Sequence, residues 1–343
     1  MQRNWNVKPL DRSNENSIQQ RIDQKTKPLG ALGRLERLAL QLALIQRQPR
    51  LAITLPTVLV FAGDHGVAAK GVSIAPSAVT RQMVLNFLSG GAAINCFSRA
   101  SGMRMQVVDA GILEPVNHPD VIQQRLGNIT GDISVEPAMS LDVAEKGLEL
   151  GAALVHKLAQ EGCNLLACGE MGIGNTTPAA AILSALTGLP VAACVGRGTG
   201  IDDAQFARKQ AVVSAAVARV RQQKDPVALL AELGGFEIAQ ITGALLAGAE
   251  AGMTLLVDGF IVTAAALLAT RIAPSCRDYM VFAHGSAESG HGMMLEALRA
   301  RPLLDLDLRL GEGTGAALAL PLLQAACAFY NDMASFTEAG VTV

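Results

Sequence analysis

Val58-Leu59-Val60-Phe61-Ala62-Gly63-Asp64-His65-Gly66 and Asn164-Leu165-Leu166-Ala167-Cys168-Gly169-Glu170-Met171-Gly172 follow one plan: an apolar run, a small residue, then a glycine-bounded polar loop. The plan recurs at residues 106–110 before Gly111 and 191–195 before Gly196-Arg197-Gly198. It recurs again at 254–257 before Asp258-Gly259 and 280–283 before His284-Gly285. Short Val- and Leu-rich runs without polar alternation are the pattern of central parallel strands, covered on both faces. The stretches between them, such as 178–186, 204–220 and 239–251, are Ala-rich and of helical length. Strand and helix in alternation predict an α/β fold: a Rossmann-like, mostly parallel sheet flanked by helices. The glycine loops fall at the carboxyl ends of the strands, where open α/β sheets bind ligands.

Composition agrees. Half of the 343 residues are hydrophobic but only 3% are aromatic, and there are 34 glycines. That mixture suits tight helix–sheet packing and backbone-rich ligand loops. A net charge of −2 with 17% charged residues excludes the clustered basic face of a nucleic-acid partner. Cys96, Cys163, Cys168, Cys194, Cys276 and Cys327 form no C-x-x-C pair, and read as small apolar residues in a reducing compartment. The polar N-terminus, residues 1–27, is unlike a signal peptide. The uncharged stretch 313–331 contains Gly, Thr, Pro and Gln, and reads as a buried helix rather than a membrane span. The expectation is a soluble, cytoplasmic protein with no membrane partner. Around residues 1–50, leucines alternate with Arg34, Glu36 and Arg37 in a helical pattern, interrupted by Lys27-Pro28-Leu29-Gly30.

Five segments hold candidate chemistry. In Arg309-Leu310-Gly311-Glu312-Gly313-Thr314-Gly315 a carboxylate stands between glycines, open to close approach, with Thr314 as a candidate helix cap. In Gly169-Glu170-Met171-Gly172-Ile173-Gly174-Asn175-Thr176-Thr177-Pro178 a glycine loop precedes a helix, with Thr177 as cap and Pro178 as first helical residue. This is a plausible phosphate or ribose cradle, although it matches neither the dinucleotide nor the P-loop spacing. Gly196-Arg197-Gly198-Thr199-Gly200, with Lys209 beyond, joins glycines to a cation and suits a phosphate as well as it suits a plain turn. His284-Gly285-Ser286-Ala287-Glu288-Ser289-Gly290-His291 offers Ser286 as a phosphate ligand, or a Ser–His pair that lacks the nucleophile elbow. Asp64-His65 has the form of an acid–base or metal pair, but no second histidine stands near it.

Together these segments resemble the nicotinate-nucleotide–dimethylbenzimidazole phosphoribosyltransferase family of cobalamin lower-ligand synthesis. The resemblance is carried by Lys27-Pro28-Leu29-Gly30-Ala31-Leu32-Gly33-Arg34-Leu35-Glu36, Asp64-His65-Gly66-Val67, Gly169-Glu170-Met171-Gly172, Asn175-Thr176-Thr177-Pro178-Ala179-Ala180-Ala181, Asp258-Gly259-Phe260, Ser286-Ala287-Glu288 and Arg309-Leu310-Gly311-Glu312-Gly313, in the family's order and across nearly the whole chain.

The resemblance implies a large Rossmann-like domain over residues 51–305. A small helical domain would come from both ends: residues 1–50, and 306–343 with the catalytic Glu loop. It implies a homodimer that transfers the phosphoribosyl group of nicotinate mononucleotide to 5,6-dimethylbenzimidazole or a related base, with neither cofactor nor metal. It also implies Glu312 as general base, with Glu170 and Lys209 as further active-site groups. Met171, Gly172, Asn175, Gly198, Ser286, Leu310, Gly311 and Gly313 would contact substrate, with Gly172, Gly198 and Ser286 around the nucleotide phosphate and ribose. Ala75 and Met83 stand near the base pocket, where some relatives carry polar residues. The competing readings are a non-catalytic nucleotide- or base-binding regulator and another phosphoribosyl transferase.

Overall fold

The computed structural model describes residues 4–198 and 200–342; Thr199 of the glycine–arginine loop lies outside the described residues. Its centre is a sheet of β1 (Thr57–Gly63), β2 (Arg104–Gly111), β3 (Val121–Gln123), β4 (Leu165–Met171), β5 (Thr254–Val257) and β6 (Met280–Phe282). Every adjacent pair is parallel, in the order β3-β2-β1-β4-β5-β6. This is the doubly wound arrangement, and its order reverses between β1 and β4.

All seven residues of β1 are buried, so alternation is invisible in the sequence and reappears only in what each side chain touches. Leu59 and Phe61 join one core, while Val58, Val60 and Ala62 join the other. Leu166 and Cys168 of β4, against Leu165 and Ala167, repeat the division. Two-residue periodicity sends successive side chains to opposite faces, and both faces are roofed.

The N-terminal helices are α1 (Glu15–Asp23) and α2 (Arg34–Gln46); α3 (Ala78–Ser89) and α4 (Ala93–Ser101) follow β1. The other roof begins with α5 (Leu141–Gln160), α6 (Thr176–Thr187), the short α7 (Val191–Cys194) and α8 (Asp203–Arg219). It continues with α9 (Pro226–Leu233), α10 (Phe236–Glu250), α11 (Phe260–Ile272) and α12 (Ser289–Ala297). The 313–331 stretch is α13 (Thr314–Asp332), packed on α2 and α4. Hydrogen bonds stitch the two ends of the chain together: Leu51 N–H donates to Asn331 Oδ1 at 2.9 Å, and Phe336 N–H to Gln24 O at 3.0 Å. Among the described residues no helix is long and apolar enough to cross a membrane.

One expected strand is absent. Residues 191–194 form α7 instead, because Pro190 at φ −57° enters a helical turn that Val195 N–H closes on Val191 O at 3.1 Å. Two helix starts also differ. Helix α6 begins at Thr176, one residue before the expected cap Thr177, because Asn175 takes the preceding position. Thr314 is the first residue of α13, and its hydroxyl turns back to Gly311 O at 2.8 Å rather than capping the helix.

Candidate active site

The ends of β1, β4, β5 and β6 deliver Asp64, Glu170, Asp258 and His284 to one edge of the sheet, all four buried. A cleft opens there, beside the order reversal. Glu170, Met171, Gly172 and Asn175 line one wall; Leu310, Gly311 and Glu312 line another; Met83, Gly198 and Ser286 complete it. Gly313 lies just below, against Val58. Ala75 does not line the cleft, whereas Val72 and Ser73 of the same segment do. Lys209 lies behind Gly198: its Nζ is 3.7 Å from the point where a Cβ on Gly198 would stand.

Glu312 owes its position to three supports. Its own backbone is left-handed at φ +64°, between Gly311 and Gly313 at φ +89° and +88°. Asp258 accepts from Gly313 N–H at 3.2 Å and from Ala316 N–H at 2.9 Å, so a fully buried carboxylate holds the amino end of α13. Gly169 lets the loop lie directly on β4, since a Cβ there would stand 2.1 Å from Glu312 O. The Glu312 carboxylate accepts from Ile94 N–H at 3.2 Å. Burial raises its pKa and nearby Asp258 adds to this, while the Ile94 bond opposes it.

Glu170 is pushed up to about 8, chiefly by burial, against a hydrogen bond donated by Asn175 Nδ2 and with Glu237 and Asp258 adding repulsion. Asp258 is raised by the same burial, opposed by His284, whose Nε2 is 3.6 Å away, and by the three backbone donors Ala316, Gly259 and Gly313. Lys209 Nζ donates to Thr176 Oγ1 at 2.7 Å and to Gly196 O at 3.0 Å. Burial lowers its pKa to about 8, with Glu288 pulling the other way. Burial thus raises the pKa of three acids, Glu312, Glu170 and Asp258, and lowers that of one lysine, around a single crevice.

Other candidates are engaged structurally. His291 Nδ1 accepts from the Ser286 backbone N–H at 2.8 Å and its Nε2 meets Thr263 Oγ1 at 2.9 Å, so it is no base for the Ser286 hydroxyl. His65 Nε2 meets Glu237 Oε1 at 2.7 Å, with both side chains fully buried, and Asp64 accepts from Thr80 Oγ1 and Leu113 N–H. Among the described residues no group of three His, Cys, Asp or Glu side chains is placed to hold a metal ion. Arg197 is tied to Ile201 O and Asp203, so it fastens its own loop. Asp258, His284 and Glu288 are cleft residues that lay within the quoted segments but were assigned no role there. For Asp258 and His284 a position just beyond a strand end was the available signal, and it needed the strand order to be useful.

A carboxylate-lined cleft at the reversal point of a doubly wound sheet is the arrangement of an α/β enzyme of small-molecule substrates. A family model described as Phosphoribosyltransferase matches residues 7–341. The nicotinate-nucleotide–dimethylbenzimidazole phosphoribosyltransferase of Vibrio cholerae is 59% identical over 342 residues, covering 97% of this chain and all of the relative. The enzyme of the same name from Shewanella oneidensis is 58% identical over 339 residues, covering 98% of this chain and 97% of the relative. The crystal structure of CobT from Thermus thermophilus superposes with a TM-score of 0.93 at 49% identity, over 96% of this chain and 98% of that one. The chain belongs to the nicotinate-nucleotide–dimethylbenzimidazole phosphoribosyltransferase family and is a pentosyltransferase.

Proposed function

We propose that the chain transfers the 5-phosphoribosyl group of nicotinate mononucleotide to 5,6-dimethylbenzimidazole or a related base, giving α-ribazole 5′-phosphate and nicotinate. This is a step of cobalamin nucleotide-loop assembly. The observation that carries the reading is Glu312: a buried carboxylate on a left-handed residue, its loop held by Asp258 and β4, in a glycine-lined cleft with Lys209 behind Gly198.

The chemistry needs little more. The bond between the ribose carbon and the pyridinium nitrogen breaks, and its electron pair neutralises the departing ring, so no general acid is required. A lone pair of the benzimidazole attacks from the opposite face and inverts the β linkage to α. The other imidazole nitrogen then carries an acidic proton, which Glu312 takes. A positioned base of this kind contributes about 10²–10⁴ in rate, and fixing both substrates in one cleft contributes as well. Glu170 faces the ribose, where the incoming pyridinium cation favours its ionised form. Lys209, Gly198 and Ser286 receive the phosphate and ribose, with Met171, Gly172 and Asn175 around the sugar. Leu310 and Met83 flank the base. The protein acts in the cytoplasm as a homodimer, its small helical domain built from residues 1–50 and 306–343.

The test is to mix purified protein with nicotinate mononucleotide and 5,6-dimethylbenzimidazole and to follow the products by chromatography and mass. Release of nicotinate together with an α-ribazole phosphate establishes the reaction. A nucleotide that binds and is never consumed, across a panel of bases, would replace the reading with that of a regulator.

A further inference from the structure

The floor of the cleft holds a charge that the reaction does not call for. Glu288 precedes α12, is 7% exposed, and turns its carboxylate into the glycine–arginine loop. A Cβ on Gly196 would stand 2.1 Å from Glu288 Oε2, and one on Gly198 would stand 3.9 Å from Glu288 Oε1 and 3.7 Å from Lys209 Nζ. A Cβ on Gly200 would stand 3.8 Å from an Arg309 guanidinium nitrogen. Alternate glycines of one loop thus abut an acid, a lysine and an arginine. Burial raises the pKa of Glu288, while Lys209, Arg309 and a hydrogen bond from Gly198 N–H hold it down. Glu288 Oε2 is buried without a hydrogen-bond partner.

Backbone N–H, lysine and arginine are the donor set of a phosphate site, and here a carboxylate sits among them. We propose that Glu288 is a resident counter-ion of the phosphate seat, lodged against Gly196 and Gly198 on the side where Lys209 also meets the loop, and displaced when a phosphate monoester arrives. This rests on the phosphoribosyl reading above and adds to it a built-in competitor. Two anions cannot share a desolvated seat without strong repulsion, so nucleotide binding swings the carboxylate out. Its return helps to expel the phosphorylated product. The occupied seat keeps the buried Lys209 compensated while the cleft is empty, at the expense of affinity.

The experiment is calorimetric titration of inorganic phosphate and of nicotinate mononucleotide into the full chain, as wild type, E288Q and E288A. Removing the charge should tighten both ligands, on the order of tenfold, and the two variants should agree because charge and not shape is at issue. Unchanged or weaker phosphate binding in both variants would overturn the proposal. Weaker nucleotide with unaltered phosphate would also overturn it, and would give Glu288 to the ribose hydroxyls instead. If wild type converts the nucleotide and neither variant changes affinity, only this inference fails. If wild type neither binds nor converts it, the functional reading fails and this one with it.

Discussion

Gly169 tests the architecture of the site without touching a reacting group. It lies in the middle of β4, paired with Val60 of β1, and the Glu312 loop rests on its bare Cα. In the Gly169→Ala protein the new methyl carbon would stand 2.1 Å from Glu312 O, 2.4 Å from Glu312 C and 2.8 Å from Gly313 N. All three are backbone atoms, so no side chain can rotate away. Restoring ordinary contact moves the loop by roughly 1 Å, and a displacement of that size at a catalytic group costs about 10² in rate. Overpacking adds about 1–3 kcal/mol of destabilisation. The assay is steady-state kcat at saturating nucleotide and base, alongside nucleotide Kd and the thermal midpoint. The expected result is a folded protein with near-normal nucleotide Kd and kcat down about a hundredfold. A folded G169A protein with wild-type kcat would refute the claim that β4 fixes the position of Glu312.

Three further outcomes follow from the same geometry. Glu312→Gln should lower kcat by about 10²–10⁴ while leaving nucleotide binding intact. Because burial raises the Glu312 pKa, the wild-type rate should climb with pH through a value above that of free glutamate, and the variant should lack that limb; unchanged turnover removes Glu312 from the mechanism. Lys209 should lose its charge as pH rises through about 8, so kcat/KM for the nucleotide falls there, and Lys209→Ala abolishes the dependence together with most of the affinity. For His65, burial opposes the charged ring but Glu237 outweighs it and raises the pKa. The pair's stabilisation is therefore complete below the unfolded value of about 6.5 and is lost as pH rises through the higher native value. Glu237→Gln should cost about 3–5 kcal/mol in denaturant melts at low pH and flatten this dependence; equal melts at every pH would dismiss the pair's contribution.

The strand runs were legible because their burial on both faces leaves unbroken Val and Leu. Residues 191–195 imitate them, and only Pro190 and the lack of a neighbouring strand distinguish the helical turn that forms. The Glu312, Glu170 and Lys209 segments stood out through their glycines and through family resemblance. Asp258, His284 and Glu288 lay in quoted segments yet received no role, because a buried charged group gains its meaning from partners far along the chain: Asp258 answers to Gly313 and Ala316, and Glu288 to Gly198 and Lys209. The capping roles expected of Thr177 and Thr314 failed for a related reason. Asn175 precedes α6 yet spends its side chain on Glu170, and at α13 the distant Asp258 receives the Ala316 amide that a capping Thr314 would have taken.

The stitching of the first helices to α13 also sets when, during synthesis, the site comes into being. Strands β1 to β6 and both glycine loops are made before residue 312 emerges, and amino-terminal portions fold first on the ribosome. A nascent chain at that stage lacks the Glu312 loop, and Asp258 lacks the two amides it holds in the finished fold. On the proposed reading the site is complete only once α13 docks on α2 and α4, so the docking of that helix is the step that switches the molecule on.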